Sequence, residues 1–174
     1  NALLDFKESI KRNPGNENLL ICYEQLILIN IKLQNFEEVI KFSEKGFALS
    51  FKHNQKPNEI LTDAKRDYIN KNWLLFLGFA NIKLKNYKKA EYWLNKVNFL
   101  YTNNHNIRPA EELCRSFALS YLGKVDDALF YFDGYLRKKK YRGFIYPEIE
   151  DLLDELPNQM KNIIRVIYQY KFNK

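Results

Sequence analysis

Apolar residues recur three and four positions apart along most of this chain, the spacing that gathers them on one face of an α-helix. Residues 72–100 show the pattern most clearly. Leu74, Leu77 and Leu84 mark one helix, Lys85-Asn86 a tight turn, and Tyr87, Ala90, Leu94 and Val97 a second helix. The small residues Gly78 and Ala90 predict a close helix crossing filled by larger neighbours. Upstream, Leu3, Phe6 and Ile10 predict a short helix over residues 2–12, ended by the turn chemistry of Asn13-Pro14-Gly15-Asn16. Two more helices follow over residues 18–34 and 36–50. A polar loop then ends at Pro57, and Asn58 reads as an N-cap. From there Ile60, Leu61, Ala64 and Tyr68 carry one long helix over residues 58–84, expected to project as an extension. After a polar loop over residues 103–108, Pro109 suits a first helical turn, with Glu111 and Glu112 complementing its dipole. Gly123-Lys124 turns this helix into another that runs to about residue 140. An acidic helix over residues 148–156 ends at Pro157. A last helix, residues 158–171, sets Met160, Ile163, Ile164, Ile167 and Tyr170 on one face. The expectation is an all-α chain.

The helix-turn-helix of residues 72–100 resembles a tetratricopeptide repeat, a 34-residue unit. With Gly78 at repeat position 8, Ala90 falls at position 20. Leu74 occupies the aromatic slot at position 4, and Trp73 stands one place before it. A second copy puts Phe36 at position 17 and Val39 at 20, with Ile27 where position 8 is small and Gly46 where position 27 is Ala. A third matches through Leu122-Gly123-Lys124-Val125-Asp126-Asp127-Ala128, with Phe132 at position 24 and Arg115 at the usually apolar position 7. Pro14 at position 32 would make residues 1–16 the end of a partial repeat. The resemblance implies a single domain over residues 1–174, an α-α superhelix, or solenoid. It would hold about three hairpins (residues 18–50, 58–100 and 108–140) with terminal capping helices at 147–172 covering its open apolar end.

Composition adds little chemistry. Hydrophobic content is 46% with few Gly and Pro, which suits ordered helices. The net charge of +7 suits an acidic partner or nucleic acid, or equally a Lys- and Asn-rich solvated surface. Cys22 and Cys114 stand apart inside helical patterns and read as buried reduced thiols, not as a disulfide or metal site. With no apolar run of about 20 residues, no membrane span is expected, and the reading is cytoplasmic. Beginning at Asn1-Ala2 without Met, the chain reads as a piece of a longer protein.

No catalytic constellation is legible. His53 and His105 lie in separate polar loops without zinc or nucleophile–base spacing, and no phosphate-cradling loop or nucleophile elbow occurs. The carboxylates Glu148, Glu150, Asp151, Asp154 and Glu155 read as a solvated helix face. The run Arg137-Lys138-Lys139-Lys140 with Arg142 reads as cations at a helix C-terminus, neutralised by that acidic segment. The chain is therefore expected to be non-catalytic, with no cofactor and no metal.

In tetratricopeptide arrays the first helices line a concave groove. The matching positions here include Ile21, Glu24, Gln25, Leu28, Ile31 and Lys32, then Asn72, Leu75, Phe76, Phe79, Ile82 and Lys83, then Ala110, Leu113, Cys114, Phe117, Ser120 and Tyr121. Members that grip a C-terminal carboxylate use Lys, Asn and Arg where this chain has Glu24, Leu28, Phe76, Ala110 and Cys114, so that mode is rejected. The expected site is an apolar groove built from Gln25, Leu28, Leu75, Phe76, Phe79, Ile82, Lys83, Phe117 and Tyr121. It would take a protein or peptide of unknown identity, or be filled by a twin subunit in a homodimer or by the chain's own terminal helices. The alternative function is a signal-peptide-sensing domain of a larger bacterial transcription regulator, and direct nucleic-acid binding ranks below both.

Overall fold

Among the described residues every element is helical, as the three-to-four spacing requires. The computed structural model describes residues 2–12, 15–53, 63–100, 108–142 and 146–170, without the side chains of residues 16–17, 51–53, 63–71, 97–100 and 140–142. The elements are α1 Ala2–Lys11, α2 Asn16–Lys32, α3 Phe36–His53, α4 Asp63–Lys83, α5 Tyr87–Leu100, α6 Pro109–Tyr121, α7 Val125–Arg142, α8 Pro147–Glu150, α9 Leu152–Glu155 and α10 Asn158–Tyr168. The resemblance implies a single domain, whereas the contacts gather into two compact units, Asn1–Ala80 and Asn81–Lys174.

Three turns share one geometry. Gln34, Lys85 and Gly123 hold left-handed backbone at φ of 57°, 61° and 73°. Each donates its N–H three residues back, to the carbonyls of Ile31, Ile82 and Ser120. Each following residue donates five back, Asn35 to Asn30, Asn86 to Asn81 and Lys124 to Leu119. The carbonyls of Asn35, Asn86 and Lys124 then accept from Val39, Ala90 and Ala128, which are fully buried. This C-terminal left-handed cap satisfies orphan carbonyls of the first helix while starting the second. The local sequence repeats too. Residues 30–36 read NIKLQNF and residues 81–87 read NIKLKNY.

In the first unit, Cys22, Leu26 and Ile27 of α2 are buried with Val39 and Phe42 of α3, and Tyr23 stands 6.0 Å from the Phe42 ring. Cys22 Sγ donates to Ser9 Oγ at 3.6 Å, tying α1 to α2. Phe79 of α4 meets Phe36 edge to face at 6.0 Å, and Asn72 donates to Glu24 at 3.3 Å. Gly46 leaves room for the buried Trp73 ring, which a Cβ at this position would meet at 2.8 Å.

In the second unit α6 is sunk among its neighbours, with every residue from Pro109 to Leu119 buried. Phe132 and Tyr135 of α7 complete this core with Ile149, Leu152, Leu153, Leu156, Met160 and Ile164 from the C-terminal segments. Two expectations change in this unit. The acidic helix over residues 148–156 is broken at Asp151, where the tighter bond from Asp154 N–H to the Asp151 carbonyl lets Ile149, Leu152, Leu153 and Leu156 all turn inward. The last helix ends at Tyr168, with Gln169 left-handed. Its apolar face is narrower than expected, for Met160 and Ile164 are buried while Ile167 is exposed. The long helix expected over residues 58–84 is described from Asp63, and the Asn58 cap and the extension's side chains lie outside the described residues, as do the side chains of His53 and His105.

Candidate interaction surface

The expected groove is largely core. Leu75, Phe76, Phe79, Ile82 and Phe117 are at most 2% exposed. Gln25, Leu28 and Lys83 are half-buried, and only Tyr121, at 42%, is well exposed. The correction has a simple cause. Large aromatic and aliphatic side chains gain roughly 1.5–3 kcal/mol each by leaving water, and this chain supplies its own cover. In the second unit that cover is visible. Tyr87 stacks on Tyr121 at 4.4 Å between ring centres, and Phe117 packs against both. Glu155 at the end of α9 accepts from Lys83 Nζ at 2.5 Å, while its carbonyl accepts from Tyr121 Oη at 2.9 Å. Burial also raises the Tyr121 phenol above its ordinary pKa, with the Glu155 charge adding to it. The polar heads that would have rimmed a peptide groove thus hold the chain's own C-terminal segment.

The sequence did not reveal a buried ionic group on α6. Glu111 and Glu112, expected to complement the dipole of this helix, are buried, and so is Arg115. Arg108 grips Glu111 through Nη2 and Nε, at 2.7 and 3.1 Å, and through its backbone N–H at 3.1 Å. Glu112 pairs with Lys138. Arg115 donates to the Leu94 carbonyl and to Tyr131 Oη, and lies over the Tyr131 ring. The signal available was Arg115 set among Leu113, Cys114, Phe117 and Ala118: a charge in an apolar stretch brings its own counter-charges when it is buried. Burial raises the Glu112 carboxyl despite Lys138, and drives the buried Cys114 thiol up, which keeps it an unreactive SH. Both cysteines are free and buried.

The described cations of the basic run each meet a carboxylate, but only Lys139 finds it in the acidic segment expected to neutralise them. Arg137 pairs with Asp133, Lys138 with Glu112 and Lys139 with Glu150. Beside it lies a polar cleft of about 290 Å³ lined by Lys139, Pro147, Glu150, Asp151, Leu153, Asp154 and Tyr170. Tyr135 Oη donates to Glu150 at 3.1 Å behind it. Burial lowers the Lys139 amine and raises the Tyr135 phenol. Among the described residues, no group of His, Cys, Asp and Glu is placed to hold a metal ion, and no helix is long and apolar enough to cross a membrane.

The outer face of α5 differs. Lys85, Lys88 and Lys89 are exposed and, among the described residues, make no ion pair. Tyr92 is 55% exposed. No family model, curated protein or solved structure matches the chain.

Proposed function

We propose that this chain is a non-catalytic protein-interaction domain of tetratricopeptide type, its hairpins stacked as a short solenoid, working in the cytoplasm. The observation that supports the reading is the turn used three times, with its left-handed residue, its shared hydrogen bonds and a fully buried small or branched residue five places after the left-handed one. Repetition of one helix-pair unit is the mark of scaffolds that display helix faces to partners. Free buried thiols accord with a reducing compartment. Because the aromatic anchors are buried, the partner surface in this reading lies on outward helix faces, not in the apolar groove.

Photo-cross-linking in the source cells, followed by reconstitution with the purified cross-linked protein, tests this. The expected result is a saturable, stoichiometric complex by calorimetry. Loss of saturable binding on reconstitution, or substrate turnover that disappears in Lys139→Ala or Glu150→Gln, would refute it.

A further inference from the structure

The outer stripe of α5 combines unpaired charge with an exposed ring. Residues three and four apart share a helix face, so Lys88, Lys89, Tyr92 and Lys96 form one row, and Lys85 in the preceding turn extends it. The single acid on this stretch, Glu91, is engaged by Lys124 at 2.6 Å and does not neutralise the row. The Lys96 ammonium lies 4.6 Å from the Tyr92 ring centre and 4.7 Å from that of Trp93, which fixes both rings. The contrast with α7 is plain, where the cations Arg137, Lys138 and Lys139 each have a carboxylate.

We propose that this stripe is the docking surface of the domain and that it takes an acidic amphipathic helix of a partner protein. The proposal rests on the interaction-domain reading above and adds the surface and the partner's chemistry. From Lys88 to Lys96 the row runs about 12 Å along a straight helix. A second helix carrying Glu or Asp at three- and four-residue spacing repeats its charges on the same pitch. Tyr92, between the lysines, offers an apolar ring to one large side chain at the centre of such a contact, with the cations around it as a rim. A single-stranded nucleic acid fits less well. Tyr92 and Trp93 stand edge to face at 5.1 Å with Lys96 over both, so they do not form the open parallel platform on which successive bases stack.

Fluorescence anisotropy on the 174-residue chain tests this. The probes are a labelled helix-forming peptide with glutamates at i, i+4 beside a leucine stripe, a scrambled peptide of the same composition, and a labelled oligothymidine. The expected result is saturable binding of the amphipathic peptide, about tenfold weaker in K88E/K89E and weaker in added salt. The scrambled peptide should bind less. Tyr92→Ala should cost about fivefold while leaving the salt dependence in place. Circular dichroism melts of the variants should match the parent, since all three side chains are exposed. The proposal is overturned if the amphipathic peptide shows no saturable binding up to about 1 mM, if K88E/K89E binds it equally well, if the scrambled peptide binds as tightly, or if oligothymidine binds more tightly. A cross-linked partner that still binds K88E/K89E at full affinity would leave the interaction-domain reading standing and remove only this surface.

Discussion

Replacing Gly46 by Ala adds one methyl group at the place where α3 meets Trp73. A Cβ there would lie 2.8 Å from three carbon atoms of the indole ring, about 0.6 Å inside the 3.4 Å where ordinary contact begins. The ring is rigid and only 2% exposed, so relief must come from shifting α4 against α3 or twisting Trp73 off its rotamer. Overpacking of this kind costs about 1–3 kcal/mol. Against it stands the helix preference of Ala over Gly, about 1 kcal/mol. The net expectation is a loss of up to about 2 kcal/mol, or as much as roughly 8 °C in melting temperature for a chain of this size. Calorimetry gives the shift. Tryptophan emission gives its origin, since Trp73 is buried and Trp93 half-buried. The decisive arm repeats the substitution in Trp73→Leu, where the ring is gone: there Gly46→Ala should become neutral or stabilising. A Gly46→Ala variant that melts higher than the parent, or that loses the same stability in both backgrounds, refutes the close approach.

Phe79→Ala should act on stability and not on partner affinity, costing about 3–5 kcal/mol in a denaturant titration because the ring is core; a folded variant of parental stability with weakened partner binding would restore the groove. Gly134→Ala would set a Cβ 2.8 Å from the Glu112 carboxyl carbon, so the helix gain of Ala over Gly, about 1 kcal/mol, should be offset in the parent and recovered in Glu112→Ala, and additive effects in the double-mutant cycle would contradict this. Burial holds the Glu112 carboxyl above its ordinary value of 4.5, against Lys138 and Arg115 and with Glu111 adding to the rise. The folded state thus keeps a proton that the unfolded chain releases. The stability this gives is fully present below 4.5 and is lost as pH rises through the raised folded value. Melting profiles of Glu112→Gln should accordingly fall less than the parent's between about pH 4 and 7, and parallel profiles would mean that the carboxyl titrates normally.

The helices were legible because the cues that set them are local. Apolar spacing, Pro109 and the turns at Lys85-Asn86 and Gly123-Lys124 lie within a few residues of what they determine, and the structure places helix ends there. The repeat of NIKLQNF as NIKLKNY was equally visible, and its Asn30 and Asn81 proved buried beside the shared turn. What was not legible depends on partners distant in sequence. Phe79 looks the same in a sequence whether Phe36 covers it or a foreign peptide does. Glu112 looks like a surface acid until Lys138, 26 residues on, comes beside it. Charged residues on helices usually face water, so a pattern-based reading sends all of them outward and misses the few that turn in.

The hold of Glu155 on Lys83 and Tyr121 sets a timetable for synthesis. Glu155 follows Tyr121 by 34 residues. At about 5–20 residues per second, the ribosome delivers that cover roughly 2–7 s after α6 has been made. During this interval the face of α6 that α8 and α9 will seal is wet and adhesive. The nascent chain must cross that interval with only α5 and α7 beside α6, so a slow codon stretch between residues 122 and 155 would lengthen its exposure to aggregation and to chaperones.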